Sequence, residues 1–388
     1  MEKWNATMNE LFERMRRHRQ HLHQHPEVGL ELPDTHSYIE EQLLQLGYKP
    51  EHIPAAGLTV SIEGSGSNPV PLIMRSDMDA LPVEESSGES VVSARKGAMH
   101  ACGHDLHMAM LLGVADFFSC NVPDRDLILA FQPGEESDRG ALETLKHHNL
   151  GVEKAECFAL HVNSVLPAGE IYFSRDIFMA HGDWFEIELN GEGGHASAPE
   201  RVGNPIRAGA QIEEQLVEVA KKLSAPDSRV VATVTEFLSG NTVNVIPTSA
   251  KLRGTIRTVS HSQRDELHAE MGDLVKRTSK ETGLEGRLTI HEGYPAVECD
   301  GEFVDRVLET LASAGLGGFR KMDHPSMVIE DFSYFLRRWP GAMMYLGAST
   351  RPNAAFNHSA KATFDERVMT KGFEIFKALA MSPSLLRI

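Results

Sequence analysis

Between residues 58 and 161 short apolar runs alternate with helical stretches, and the later runs break off into segments rich in metal-ligating side chains. The runs are Leu58–Ile62, Pro71–Met74, Asp126–Phe131 and Glu156–Leu160. Apolar residues at helical spacing predict helices over 5–22, 35–46 and 106–118, with Pro26 and Gly47 ending the first two. Strands alternating with helices predict an α/β domain built on a mainly parallel sheet flanked by helices. In open sheets of that kind ligands gather at the carboxyl ends of the strands.

The rhythm changes near residue 180. Trp184–Leu189 alternates as a strand, Gly191-Glu192-Gly193-Gly194 makes a turn, and a long helix covers 204–223. Strands follow at 229–238 and 250–258, then a helix at 261–282 and a strand at 286–291. This β-α-β-β-α-β order predicts an inserted α+β domain of ferredoxin-like type over 181–291. The 388 residues also exceed the ~250–300 at which one core stops growing. The expected organisation is a discontinuous domain, 1–180 with 292–388, interrupted by that insert. Helices near 301–314 and 365–381 and a strand at Ala342–Leu346 complete it.

A net charge of −17 and the lack of an extended basic run argue against a nucleic-acid surface. No apolar run approaches the ~20 residues of a membrane span, and Met1 to Pro26 carries no apolar signal core. The four cysteines, Cys102, Cys120, Cys157 and Cys299, are too few and too irregularly spaced for a disulfide framework. These features predict a cytoplasmic protein in a reducing compartment, with no nucleic-acid or membrane partner.

The ligand-rich segments are Asp77 and Asp79, then Met99-His100-Ala101-Cys102-Gly103-His104-Asp105-Leu106-His107, then Glu135-Glu136, His161 and Phe356-Asn357-His358-Ser359. Hydrolysing an amide near neutral pH needs a strong nucleophile. A bound divalent ion lowers the pKa of its water to ~7, and two ions ~3.5–4 Å apart can share that water. Such a centre needs several N, O and S ligands and a base that does not coordinate tightly. Adjacent Glu135 and Glu136 can divide those tasks, one binding metal and the other holding the water and later protonating the leaving amine. Pro133-Gly134 predicts an irregular backbone there. Taken singly, each piece is ordinary: a core histidine, a small buried cysteine, a solvated glutamate pair, aspartates in a turn before Pro82. Their order at successive strand ends points to a catalytic metal centre.

In that order the residues resemble the dinuclear metallohydrolases of the aminoacylase and carboxypeptidase G2 type. Within these they resemble the amidohydrolase branch that includes hippurate hydrolase and the indole-acetyl-amino-acid hydrolases. The resemblance runs from His23-Gln24-His25-Pro26-Glu27 through the segments above to Gly193-Gly194-His195, Asn244-Val245-Ile246-Pro247, Gly254-Thr255-Ile256-Arg257, Glu330-Asp331-Phe332 and His358-Ser359. It implies hydrolysis of small N-acyl amino acids, two divalent ions per chain (Mn, Zn, Co or Ni), and a homodimer paired through the insert, which also serves as a lid. It implies Cys102, His104, Glu136, His161 and His358 as metal ligands, with the Cys102 thiolate bridging the ions. It further implies Glu135 as general base and acid, Asp79 orienting a ligand and His195 stabilising the oxyanion. Asn244 and Arg257 would hold the substrate, the guanidinium fork suiting a carboxylate.

Four positions depart from that branch. Gly134 stands where Ala is common, Leu106 where Gly is frequent, Glu200 where His often follows the proline, and Ala360-Lys361 where a Pro-containing step is usual. They are expected near the substrate, where they bear on specificity, and Lys361 would favour an acidic one. A dipeptidase or carboxypeptidase with the same centre, a thiol hydrolase using Cys102 and a non-catalytic scaffold are the other readings. The full set of base and ligands weighs against the scaffold. A thiol mechanism leaves Glu135-Glu136, His161 and His358 without a reason to recur at strand ends.

Overall fold

The computed structural model describes residues 7–53, 57–66, 70–136, 139–146 and 148–382. The chain divides into two compact units, Met1–Phe178 with Glu298–Met322 and Glu330–Ile388, and Met179–Val297 with Asp323–Ile329.

The first unit is built on an eight-stranded sheet in the order Glu51–Ile53, Gly57–Ile62, Leu127–Gln132, Leu72–Asp77, Glu156–Pro167, Gly341–Ser349, Ile171–Phe173, Phe319–Lys321. Its four middle strands, Leu127–Gln132 to Gly341–Ser349, run parallel. Gly57–Ile62 joins them antiparallel on one side and Ile171–Phe173 on the other. Every residue of Leu72–Asp77 and Leu127–Gln132 is buried, as parallel strands covered on both faces require. Helix His104–Phe118 is buried along almost its whole length and packs against Met8–Gln24 and Val368–Ala380. The expected mainly parallel sheet flanked by helices is therefore what forms. Three strands escaped the periodicity because they are only three residues long, namely Glu51–Ile53, Ile171–Phe173 and Phe319–Lys321. The strand expected at Glu156–Leu160 continues to Pro167, since Gly341–Ser349 pairs with it along its length.

The second unit holds a four-stranded antiparallel sheet in the order Val231–Ser239, Ser249–Thr258, His181–Asn190, Glu285–Tyr294. With helices Pro205–Leu223 and His261–Thr282 between the strands in sequence, this is the ferredoxin-like arrangement. Burial alternates along His181–Asn190 and Ser249–Thr258, so one sheet face is apolar. Phe185, Ile187, Leu252 and Ile256 from that face share a core with Ile212, Leu216, Leu267 and Leu274 of the helices. Asn204 and Ser260 cap the two helices by accepting from backbone N–H groups of the first turns. The unit reaches past 181–291 and takes in Asp323–Ile329, whose Ser326 and Val328 carbonyls accept from the Ala180 N–H. Among the described residues no helix is long and apolar enough to cross a membrane.

Candidate metal centre

The ligand-type residues of the first unit converge at the carboxyl ends of its parallel strands. Asp77 ends Leu72–Asp77, and Glu135-Glu136 follow Leu127–Gln132. The ladder between Leu72–Asp77 and Glu156–Pro167 closes at Arg75 and Ala159, so His161 lies just past the pairing, level with Asp77. Cys102 and His104 flank Gly103, which precedes helix His104–Phe118 at a φ of +88°. A Cβ on Gly103 would sit 2.3 Å from Val162 Cγ2, so glycine is required by both conformation and space. His358 lies in the loop after Gly341–Ser349 at a φ of +70°, a costly conformation for a residue with a side chain.

Cys102 Sγ is 3.4 Å from His161 Nε2 and 3.3 Å from His358 Nε2. His358 Nε2 is 3.4 Å from Glu136 Oε2, and His104 Nε2 is 3.7 Å from Glu136 Oε1. Cys102, His104 and His161 form one three-donor group and Cys102, Glu136 and His358 another, the donor atoms of each lying within 4.8 Å of one another. The two groups share the sulfur.

Whether these residues suit metal ions is decided by the atoms they leave unused. His104 Nδ1 donates to the Asp79 carbonyl at 2.8 Å, and His161 Nδ1 donates to the Val162 carbonyl at 2.8 Å. A carbonyl only accepts, so a proton sits on Nδ1 of each ring, and in the neutral ring Nε2 presents a lone pair to the cluster. His104 Nε2 and Glu136 Oε1 are buried without a hydrogen-bond partner among the described residues. Buried acceptors without partners are costly, and a cation at this point would satisfy both. Thiolate, imidazole and carboxylate together suit a first-row divalent ion without selecting one.

His107 belongs to a third group with Asp77 and His104, but both its nitrogens are taken. Nδ1 donates to Asp77 at 2.6 Å and Nε2 accepts from the Val162 N–H at 2.8 Å. It fixes the strand that carries His161 and has no lone pair left to offer.

The two glutamates are held by one aspartate. Asp79 accepts the Glu135 N–H at 2.9 Å on Oδ1 and the Glu136 N–H at 3.1 Å on Oδ2. Because the Asp79 carbonyl also orients His104, a single residue fixes three members of the cluster. Gly134 supplies the bend at a φ of +66°, which alanine would adopt only with strain, so the departure at 134 is a backbone matter. Burial, then Glu330 and Glu136, push the Glu135 carboxyl well above the usual carboxylate range. Burial above all raises Glu136 to about 7. Burial and the Glu136 charge also raise the Cys102 thiol, so without a cation it is no thiolate. That weighs against a thiol hydrolase.

Several contributors were not singled out from sequence. Arg75 is fully buried behind the glutamates and donates to Gln132, Asp77, Glu330 and Asp331 at 2.7–3.0 Å. An arginine directly after the apolar run Pro71–Met74 was the available signal. Asn357 donates to the backbone carbonyls of Cys102 and Val162 at 3.2 and 3.1 Å, and its Oδ1 accepts from Ser164. It thus ties together the segments bearing Cys102, His161 and His358. Leu106, two residues after His104, is wholly buried. Lys361 and Glu200 are exposed.

The remaining candidates lie in the second unit. His195 sits on Gly194–His195, which pairs with Val245–Ile246, beside Asn244. Both are exposed; His195 Nδ1 is 2.7 Å from Ser197 Oγ, and Asn244 Oδ1 accepts from Thr242. Arg257 is held by the Ile256 carbonyl at 2.8 Å and by Thr255, and it makes no ion pair among the described residues. It lies at the far end of Ser249–Thr258 from the Val245–Ile246 segment, on the order of 25 Å away at ~3.3 Å per residue. The unit brings His195 and Asn244 together and keeps Arg257 apart from them.

An open α/β sheet with a clustered set of thiol, imidazole and carboxylate donors at its strand ends defines a metallohydrolase. The chain belongs to the peptidase family M20/M25/M40, whose model matches residues 73–382. It is 32% identical over 371 residues to the N-acetyldiaminopimelate deacetylase of Limosilactobacillus reuteri (strain DSM 20016), covering 92% of this chain and 94% of that one. It is 33% identical over 367 residues to the thermostable carboxypeptidase 1 of Saccharolobus solfataricus, covering 91% of each. A solved dinuclear metal-binding peptidase of the M20 family from Bacillus subtilis superposes with a TM-score of 0.81 at 27% identity, over 96% of this chain and 98% of that one. The protein is an enzyme that hydrolyses amide bonds.

Proposed function

We propose that the protein hydrolyses the amide bond of N-acyl amino acids, with two divalent ions held by Cys102, His104, Glu136, His161 and His358. The observation that carries this reading is the pair of hydrogen bonds that the Glu135 and Glu136 amides donate to Asp79. It holds the backbones of both glutamates at the cluster, where one carboxylate would bind metal and its neighbour would carry the proton. Bound ions, whether Mn, Zn, Co or Ni, would supply the acidity that lowers the pKa of an attacking water and polarises the amide carbonyl. Glu135 takes a proton from that water on its carboxylate and returns it to the leaving amine nitrogen. Arg257, which makes no ion pair among the described residues, suits the substrate carboxylate. Since His195 and Asn244 lie far from Arg257 within one chain, they serve the site of a second copy, His195 stabilising the oxyanion there. The second unit would then be both lid and dimer contact. Four free cysteines accord with a reducing, cytoplasmic setting.

The test is release of free amino acid from N-acetyl, N-benzoyl and longer N-acyl amino acids and from dipeptides, by Mn-reconstituted and chelator-treated protein. N-acetyldiaminopimelate belongs first in the panel because several relatives carry that activity in their names. Metal-dependent release from acylated amino acids supports the reading. Release from dipeptides alone favours a carboxypeptidase or dipeptidase, the second reading that the S. solfataricus relative brings in. Metal-independent release contradicts both.

A further inference from the structure

A second cluster of ligand-type side chains lies on the outer edge of the large sheet, away from the centre described above. His36 and Glu40 stand four residues apart on helix Pro33–Gln45 and so share one helix face. His52 lies on Glu51–Ile53, the edge strand, which Gly57–Ile62 and Leu127–Gln132 separate from Leu72–Asp77. His52 Nδ1 is 3.2 Å from His36 Nε2, and His52 Nε2 is 2.9 Å from Glu40 Oε1. The two rings lie 5.0 Å apart at 32°, and the three residues offer donor atoms within 4.8 Å of one another.

We propose that His36, Glu40 and His52 form a peripheral site for one divalent transition-metal ion, with Zn2+ as its simplest occupant. Two nitrogens at 2.0–2.1 Å from a tetrahedral zinc lie ~3.3 Å apart, so the observed 3.2 Å pair is already at ligand spacing. Two imidazoles and a carboxylate supply three ligands, and the exposure of His52 leaves solvent for the fourth. Burial, then the neighbouring His52, lower the pKa of His36, so its ring is unprotonated at neutral pH and able to bind. Without an ion the cluster is a hydrogen-bonded chain from Glu40 through His52 to His36, which is the competing account. Glu40 meets the ring nitrogen of His52 opposite the one that faces His36, so to coordinate the same ion its carboxylate swings from the Nε2 side of His52 towards the Nδ1 side. The site shares no residue with the central cluster, so its occupation and that of the centre are separable.

The experiment is equilibrium dialysis of the full-length, chelator-stripped protein against increasing free Zn2+, with bound zinc per chain measured. Wild type is compared with His36→Asn, His52→Asn and Glu40→Gln. The site predicts one ion fewer per chain at saturation in each histidine variant and at least tenfold weaker binding of that ion in Glu40→Gln. Amide hydrolysis and the circular dichroism spectrum stay unchanged, because none of the three touches the central cluster. Equal zinc stoichiometry and affinity in wild type and His52→Asn overturns the proposal. So does loss in one histidine variant but not the other, since both nitrogens are required. A variant that also loses its hydrolysis or its spectrum is replaced by Glu40→Gln, whose unchanged zinc affinity equally overturns it.

Discussion

The two units treat their functional candidates in opposite ways. In the first, Cys102, His104, Glu135 and His161 are buried and their orientations are fixed by bonds from residues in the same unit. In the second, His195 and Asn244 are exposed, and among the described residues the side chain of each bonds only to a neighbour two residues away. A metal centre must have rigid donors before an ion arrives, and burial with committed second nitrogens provides that. Residues that meet substrate only after assembly or closure can stay solvated and loosely held. The contrast teaches that one unit holds its metal-ligating types in place by itself, whereas the other presents groups whose role depends on what comes to face them.

The largest expected effect is on the shared sulfur. Cys102→Ala removes a donor from both three-membered groups, so bound metal and hydrolysis both collapse, read by elemental analysis alongside turnover. Retention of the full central complement of ions would break the view that the two groups meet at Cys102.

Asp79→Asn should be next. The asparagine keeps one accepting oxygen but places an NH2 group against the Glu135 or Glu136 N–H. A loss of 10–100-fold in activity or metal affinity is expected. An unchanged metal titration with unchanged turnover would show that the backbone of the glutamate pair holds itself.

Stability gives a third handle, at a residue that is not itself among the ligands. His23 lies between Asp105 and Glu85, with Nδ1 2.9 Å from the former and Nε2 3.3 Å from the latter. Burial opposes its charge, but the Asp105 carboxylate and both hydrogen bonds prevail and raise its pKa from 6.5 to about 9. A raised pKa means the folded state binds the proton more tightly, so the contribution is complete below about 6.5 and fades as pH climbs through about 9. Each pKa unit is worth ~1.4 kcal/mol, which makes the contribution on the order of 3 kcal/mol at its fullest. Denaturant unfolding should show His23→Gln most damaging near pH 6 and much less so at pH 10. A pH-independent deficit would mean the ring acts by packing alone.

The smallest structural effect is expected in the second unit. His195→Ala should leave thermal unfolding and metal content unchanged, the stability shift staying within about 0.5 kcal/mol as for other surface changes, while kcat falls. Loss of central metal in that variant would erase the contrast between the units.

Much of this was legible in the chain. Long elements announced themselves by period, and the ligand types stood at strand ends in their order, as with Asp77 and Glu135-Glu136. What periodicity could not show was set by tertiary contact. His107 has the same residue type and neighbourhood as His104, and only the Asp77 and Val162 bonds reveal that it has no free nitrogen. Asn357 gains its meaning from three backbone segments that are distant in sequence. Leu106 stands in the histidine-rich run, and its complete burial could not be read from its place there. Strands of two or three residues, such as Gly194–His195 and Glu51–Ile53, carry too few side chains for any pattern.

The central claim is that Glu135 moves the proton while other residues hold the metal. The most direct test compares Glu135→Gln with wild type for both central metal content and amide hydrolysis under identical loading. The account predicts an unchanged complement of ions with hydrolysis lowered by a factor on the order of 10²–10⁴, the usual contribution of a positioned acid–base group. Hydrolysis at the wild-type rate in Glu135→Gln, or loss of the ions along with the activity, would contradict it.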